Sequence, residues 1–503
     1  MSETETSSDV RFSYAFAKER GLVILDDSAS PAVIGARGAP DPWALLEARR
    51  VVDKPITVEA MPGEAFERRL SEIYSASSID AESLALGDEE SDLAALADGL
   101  PTTADLLDAE DDAPMILLIN RIIAEAVKLK ASDIHVEPYE ANLSVRLRVD
   151  GVLREILSLP ARVAAALVSR IKVMARLDIA EKRIPQDGRI SLALGGKTVD
   201  VRVSTLPARF GERVVMRILD KEEARFELDA LGMPPDMLSG LRRALSKPNG
   251  VILVTGPTGS GKTTTLYGAL TELNDPSRNI LTVEDPVEYA IDGVGQTQIN
   301  PKVGMTFATG LRAILRQDPD IVMVGEIRDV ETAEIAIQAS LTGHLVLSTV
   351  HTNSAVGAVT RLRDMGVEPF LLSSTVSAVI AQRLVRRLCP ACKEPYAPDE
   401  AERRLLGADM SSDIEIFRPK GCGRCAGAGY EGRMGVYELV LVDDALRRMI
   451  HDDASEHELH DHAFRSRDTL ARCGFRHVLA GVTSIEEVLR VVRQDDEDAD
   501  LRV

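Results

Sequence analysis

Val251-Ile-Leu-Val-Thr-Gly256-Pro-Thr-Gly259-Ser-Gly261-Lys262-Thr263-Thr264 reads as a buried strand, a glycine-rich turn and the opening of a helix. It fits the Walker A pattern G-x-x-x-x-G-K-[ST] in the strand–turn–helix setting that the pattern requires. The glycines let backbone N–H groups converge on phosphate oxygens with no Cβ in the way, and the helix N-terminus adds its dipole. Lys262 is expected to reach the β- and γ-phosphates of ATP, and the Thr263 hydroxyl to ligate Mg²⁺. The candidate ATP-binding residues are Gly256, Pro257, Thr258, Gly259, Ser260, Gly261, Lys262, Thr263 and Thr264.

Downstream, Ile280-Leu-Thr-Val-Glu284-Asp285-Pro286-Val287-Glu288 and Asp318-Pro-Asp-Ile321-Val-Met-Val324-Gly325-Glu326-Ile-Arg328-Asp329 are β-branched strands that end in carboxylates. In a doubly wound sheet the strand C-termini share one edge, so both acidic groups are expected to face Lys262. Phosphoryl transfer to water needs a carboxylate to orient the water and others around the metal. Glu326 stands one residue past the usual Walker B aspartate position, which Gly325 fills. Spacing does not choose between Glu288 and Glu284 for the water. A third strand, Leu345 to Val350, is bracketed by His344 and His351, candidates for sensing the γ-phosphate.

The remainder of the 503 residues exceeds what one core holds, and about three domains are expected. No apolar run of roughly 18 residues is present to span a bilayer. The acidic opening Met1-Ser-Glu-Thr-Glu lacks the apolar segment of a secretory signal, so a soluble cytoplasmic chain is expected. A net charge of −21 with 4% aromatics argues against a nucleic-acid translocase.

Toward the N-terminus, residues 114–226 read as an α+β domain. A helix from Met115 to Lys130 precedes the hairpin Leu143–Val149/Val152–Leu157 around Asp150-Gly151, then a helix from about Ala161 to Arg176. A second hairpin runs from Gly188 to Val203. Before this domain, Asp80 to Asp112 carries twelve acids and no base, a charge pattern suited to a flexible linker over 80–113. Residues 1–79 form a small module: a helix stopped at Gly21, the strand Leu22–Leu25, and amphipathic helices near Trp43 and from Pro62 to Tyr74. Docking domain and structural cap both fit it.

Toward the C-terminus, Cys389-Pro-Ala-Cys392 is answered by Cys422-Gly-Arg-Cys425. Two C-x-x-C knuckles form a Cys₄ structural zinc signature with no open coordination position, in an insert of about 386–435. Cys473 is expected in the core. A helical part of about 436–503 closes the 227–503 domain, its last helix opened by the capping box Ser484-Ile-Glu-Glu487 and running to about Arg493.

The Walker loop, the Leu281–Pro286 acidic box, the Gly325-Glu326 ending and the histidine box together resemble the type II/type IV secretion ATPase superfamily. So do Gly304-Met-Thr-Phe-Ala-Thr-Gly-Leu-Arg312, Asp200–Pro207 and Gly211–Arg217. The opening Phe12-Ser-Tyr-Ala-Phe is similar to type II secretion ATPases, the GspE family, with pilus assembly ATPases as the alternative. This resemblance implies a multidomain α/β chain: a RecA-like P-loop motor, a preceding PAS-like α+β domain, an N-terminal docking domain and the zinc insert. It further implies that Arg202, Arg217, Arg312, Arg316 and Arg433 stand near the nucleotide. The implied protein is a homohexamer that hydrolyses ATP to power pseudopilus assembly and protein export. Its implied partners are a bitopic inner-membrane protein, held by residues 1–79, and a polytopic platform protein. Acidic phospholipid is implied at Arg383, Arg386 and Arg387, on a chain peripherally recruited to the inner membrane.

Overall fold

The computed structural model describes residues 12, 16–17, 20–27, 30–38, 40–63, 65–66 and 69, then 113–194, 197–219, 226–407 and 413–496. The acidic linker up to residue 112, residues 1–11 and most of the helix expected over 62–74 lie outside them. The described chain divides into two compact units, Met1–Asp220 and Lys221–Val503.

The first unit opens with β1 (Leu22–Asp26), β2 (Ala32–Arg37), α1 (Pro42–Val52) and β3 (Ile56–Met61). β1 and β2 are antiparallel, whereas β2 and β3 are parallel and need α1 as their crossover. Asp41 starts α1 by accepting from the Trp43 N–H at 3.2 Å, with Pro42 in the first turn. Leu22, Ile34, Ala48 and Phe66 meet in its core. Of these strands, only β1 is marked in the sequence. β3 is mostly exposed, so its sequence lacks the alternation that marks a half-buried strand.

A six-stranded antiparallel sheet follows: α2 (Ala113–Lys128), β4 (Ala131–Pro138), β5 (Asn142–Val149), β6 (Val152–Pro160), α3 (Ala164–Met174), β7 (Gln186–Leu194), β8 (Lys197–Ala208) and β9 (Gly211–Leu219). Its strand order is β6-β5-β4-β9-β8-β7. The β5–β6 turn places Asp150 and Gly151 at φ 50° and 84°, the left-handed pair that a two-residue hairpin requires. α2 and α3 cover one face with Leu118, Ile122, Leu167 and Ile171. Inside, Lys172 is paired with Glu212 at 2.5 Å and also donates to the Glu181 carbonyl at 2.7 Å.

The second unit is built on a seven-stranded sheet. Its elements are α4 (Pro235–Leu245), β10 (Gly250–Thr255), α5 (Lys262–Leu273), β11 (Ile280–Glu284), β12 (Gly295–Gln298), α6 (Phe307–Ile314), β13 (Ile321–Val324), α7 (Val330–Leu341), β14 (Leu345–Val350), α8 (Ala355–Asp364), α9 (Pro369–Thr375) and β15 (Val376–Leu388). β16 (Glu394–Tyr396), α10 (Glu400–Leu405), β17 (Ile416–Arg418), β18 (Tyr430–Leu441), α11 (Asp444–His451), α12 (Glu456–Ala463), α13 (Leu470–Leu479) and α14 (Ile485–Asp496) complete it. The strand order is β12-β11-β13-β14-β10-β15-β18, parallel except for the β15–β18 pair. Val251 and Leu253 pack into the core on one face, Ile252 and Val254 into the core on the other. A strand buried on both faces has no use for polar alternation, which is why β10 reads as an unbroken apolar run. Truncating Leu253 to alanine removes packing worth about 2–5 kcal/mol.

Two expectations about the C-terminus change. α14 extends to Asp496 rather than Arg493. Its capping box is half formed. Ser484 accepts from the Glu487 N–H at 3.3 Å, but the Glu487 carboxylate turns to Arg386 at 2.6 Å and Arg490 at 2.8 Å. Two guanidinium partners outweigh one backbone donor, and they hold the Glu487 carboxyl at about 2 against the burial that raises it.

Candidate active site

Because β10, β11, β13 and β14 are parallel, their C-terminal ends lie along one edge, and Thr255 is level with Val350. The glycine turn leaves β10 at this edge. Gly256 has φ 144°, and a Cβ there would come within 2.5 Å of the Gln382 carbonyl oxygen, so the loop hugs β15 only with glycine in place. Gly261, at φ 88°, precedes α5, and Pro257, Thr258, Gly259, Thr263 and Thr264 are exposed around the buried Ser260. The Lys262 Nζ donates to the carbonyls of Gly256 at 2.8 Å and Pro257 at 3.1 Å. Burial lowers the Lys262 ammonium, Glu326 raises it, and Arg383 lowers it again, for a value of about 8.

Glu326 sits just past β13, on a loop fixed by the Ile327 N–H to the Thr349 carbonyl at 2.9 Å and the Thr349 hydroxyl to the Gly325 carbonyl at 2.8 Å. Its carboxylate takes an ion pair from Arg328 and lies 3.4 Å from His351 Nε2. Burial pushes this carboxyl up, but Arg328 and then His351 bring it below its ordinary value. An ionised glutamate, a poised lysine and an imidazole thus meet at the mouth of the glycine turn.

The other acidic strand departs from expectation. Glu284 is 3% exposed and does not face Lys262. It accepts from the Tyr267 hydroxyl, from Thr282 Oγ1 at 2.5 Å and from Gln296 Nε2 at 3.1 Å. As the last residue of β11 it still points between sheet and α5. Glu288 lies beyond it in the half-buried loop, with its N–H 3.3 Å from the Tyr267 hydroxyl.

The histidines also separate. His351 follows β14 at the glycine-turn edge. His344 precedes β14, and its carbonyl accepts from the N–H of Gly250, the first residue of β10, at the opposite edge. Its Nδ1 lies 2.8 Å from the Ala339 carbonyl and 3.1 Å from the Thr342 hydroxyl, an assignment to the end of α7. A residue ahead of a parallel strand is one strand length from the edge where phosphates bind.

The arginines fall in several places. Arg202 and Arg217 are cross-strand partners on β8 and β9 of the first unit, where Arg217 pairs with Asp133 at 2.9 Å. Arg312 pairs with Glu331 at 2.6 Å, and Arg316 donates to the Arg312 carbonyl at 2.8 Å. Arg433 is exposed on β18 opposite Arg386. The lipid reading of the β15 arginines changes most. Arg383 is 3% exposed against the loop, donating to the carbonyls of Gln382 at 3.1 Å and Asn353 at 2.8 Å. Arg386 is committed to Glu487 and stacks on Tyr430, its guanidinium carbon 4.0 Å from the ring centroid. Of the three, Arg387 alone is exposed.

Three residues at this edge carry no motif that singles them out as part of the site: Arg328, Gln382 and Arg383. Arg328 follows Glu326 by two positions, and that proximity is its signal in the sequence. The other two come to the loop only because β15 pairs with β10 across more than a hundred residues of chain.

The four cysteines of the insert converge as their spacing predicts. Their Sγ atoms all lie within 4.8 Å of one another, with separations of 4.0 Å for Cys389–Cys422 and 3.8 Å for Cys392–Cys425 and for Cys422–Cys425. A tetrahedral Zn–S₄ centre with bonds of about 2.3 Å needs sulfurs about 3.8 Å apart, so the donor set fits zinc. Burial raises the Cys425 thiol, but N–H groups of Cys422, at 3.2 Å, and Gly429, at 3.1 Å, bring it to about 7. Cys473 is apart from them, buried in the core as expected.

Among the described residues, no helix is long and apolar enough to cross a membrane. A family model described as Type II/IV secretion system protein matches residues 108–490, and one for an N-terminal domain of GSPII protein E matches residues 11–74. The chain is 58% identical over 487 residues to a Type II secretion system protein E of Pseudomonas aeruginosa, covering 96% of this chain and 97% of that one. It is 53% identical over 497 residues to the Type II secretion system ATPase E of Vibrio cholerae serotype O1, covering 98% and 99%. Among solved structures, the Legionella pneumophila ATPase DotB shares the fold at a TM-score of 0.55 and 21% identity, over 75% of this chain and 96% of that one. A phosphate-loop edge, a Cys₄ cluster and near-full-length likeness converge on one conclusion: the chain belongs to the type II secretion ATPase family, the protein E branch of the type II/IV secretion superfamily.

Proposed function

We propose that this ATPase hydrolyses ATP with Mg²⁺ at the carboxyl edge of its parallel sheet and works as a homohexamer that drives pseudopilus assembly and protein export. The observation that carries the reading is the meeting of Lys262, Glu326, Arg328 and His351 at the mouth of one glycine turn. Lys262 would hold the β- and γ-phosphates, and Gly256 to Thr264 would cradle them with backbone N–H groups. Thr263, exposed on the first turn of α5, would hold Mg²⁺, which neutralises phosphate charge when bound. Glu288 is the better candidate for orienting water, because the hydrogen bonds of Glu284 are already made in the interior. Glu326, kept ionised, supports Lys262 and the metal side of the site.

The division into an N-terminal docking module (1–79), linker (80–113), PAS-like domain (114–226) and RecA-like motor (227–503) gives each part a task. Residues 1–79 hold the bitopic inner-membrane partner, and the PAS-like domain supplies Arg202 and Arg217 to a nucleotide when subunits assemble. Arg312, Arg316 and Arg433 add positive charge around the nucleotide, and the polytopic platform protein receives the motion. Zinc on Cys389, Cys392, Cys422 and Cys425 braces the insert. The chain acts in the cytoplasm, recruited peripherally to the inner membrane, with Arg387 the β15 arginine open to acidic phospholipid.

Lys262→Ala tests this directly. It is expected to abolish turnover in a protein that melts normally and to stop secretion in a complemented strain. Preserved ATPase activity in the folded variant refutes the site.

A further inference from the structure

Gln382 is 1% exposed in the middle of β15, yet its carboxamide reaches both the phosphate loop and the first turn of α5. The Nε2 donates to the Ser260 carbonyl oxygen at 2.7 Å, and the Oε1 accepts from the Thr265 hydroxyl at 2.8 Å. A carbonyl oxygen can only accept, so this pairing sets which end of the amide faces the loop. The Ser260–Gly261 peptide is planar and trans, and its C=O and N–H therefore point in opposite directions. Holding the Ser260 oxygen against β15 turns the Gly261 N–H away from the strand, in a loop whose residues Pro257, Thr258 and Gly259 are exposed. Glycines at φ 81° (Gly259) and 88° (Gly261) leave this turn free to flip its peptide planes, so an outside contact must select one orientation.

We infer that Gln382 is a positioning residue for nucleotide binding, presetting the Gly261 N–H to meet a phosphate oxygen by clamping the Ser260 carbonyl. The inference rests on reading Gly256–Thr264 as the phosphate loop. It assigns to β15 a part in ATP binding that the loop motif does not contain. A donor is essential on the Ser260 side. Glutamate in place of Gln382 sets a carboxylate oxygen against a carbonyl oxygen, whereas a protonated carboxyl can again donate to one partner and accept from the other.

The test measures MgADP binding by full-length wild type, Gln382→Glu and Thr265→Val between pH 6 and 8, with a thermal melt of each at each pH. Gln382→Glu is expected to bind on the order of tenfold more weakly at pH 8. Relative to wild type at the same pH, that deficit should shrink as pH falls, while kcat at saturating ATP changes less than KM. Thr265→Val, which frees the other end of the amide, should weaken MgADP severalfold with no pH dependence relative to wild type; it carries the test if the glutamate variant does not fold. A Gln382→Glu deficit that is absent, constant with pH, or a simple reflection of lowered melting temperature overturns the inference, as does unchanged affinity in Thr265→Val. Normal wild-type binding alongside such a result leaves the phosphate loop standing. A wild type that fails to bind MgADP overturns the loop reading and this inference with it.

Discussion

Strands β11 and β13 pair residue for residue up to Val283 and Val324, and each delivers a glutamate to the same edge of the sheet. Glu284 is the last residue of its strand, and its side chain stays under α5 with Tyr267, Thr282 and Gln296. Glu326 comes two residues after its strand has ended, on a loop that turns it toward Lys262, Arg328 and His351. The chemistry of the two side chains is identical. One or two residues of extra chain beyond the strand separate an interior hydrogen-bond acceptor from a charge available to a ligand, and the Tyr267 hydroxyl, raised first by burial and then by Glu284, shows how fully the interior one is occupied.

Substitution by glutamine is the sharpest way to break this contrast. Glu326→Gln should retain ADP and lose about 10²-fold or more in kcat, as expected when a charge that supports Lys262 and the metal side of the site is neutralised. Steady-state turnover beside equilibrium binding checks it; equal losses in Glu326→Gln and Glu284→Gln would erase the distinction between the two carboxylates.

The pH dependence of binding sharpens it further. With burial holding Lys262 at about 8, its charge is present below that pH and lost above it, so MgADP affinity should fall by up to about tenfold per pH unit above 8. Since Glu326 raises the lysine, Glu326→Gln should move this bend to lower pH, and Glu284→Gln should leave it in place. Lys262→Arg should remove the bend.

Stability reports on the interior member of the pair. Glu284→Gln turns an amide N–H₂ toward groups that already donate, at a cost of about 1–3 kcal/mol in unfolding free energy with kcat near wild type. Urea denaturation separates that outcome from a catalytic one. The smallest effect belongs to the histidine at the far edge. His344→Ala should cost at most about 1 kcal/mol and leave turnover unchanged, while His351→Ala lowers turnover severalfold by releasing Glu326.

What the sequence discloses is whatever its chemistry packs into a short window. The glycine turn needs its residues consecutive, and the knuckles need their cysteines three positions apart within each pair, so both are legible in the chain itself. The β10 strand declares itself because burial on both faces leaves nothing but apolar side chains. Glu284 misleads because a carboxylate at a strand end looks the same whether it points into the interior or off the edge. His344 is open to correction from strand polarity alone, since it precedes a parallel strand whose far end carries the site. Gln382 and Arg383 are out of reach, because nothing within β15 announces its pairing with β10.

β15 spans 13 residues and meets very different neighbours along its length. Gln382 touches the glycine turn, Arg386 is tied to Glu487 of α14, and Cys389 follows directly at the strand's end. At a rise of about 3.3 Å per residue, the cysteine lies about 23 Å along the chain from the glutamine. One continuous backbone thus runs from the glycine turn to the sulfur cluster, paired with β18 along the way from Gln382 to Leu388, so the two sites share a single strand as their common wall.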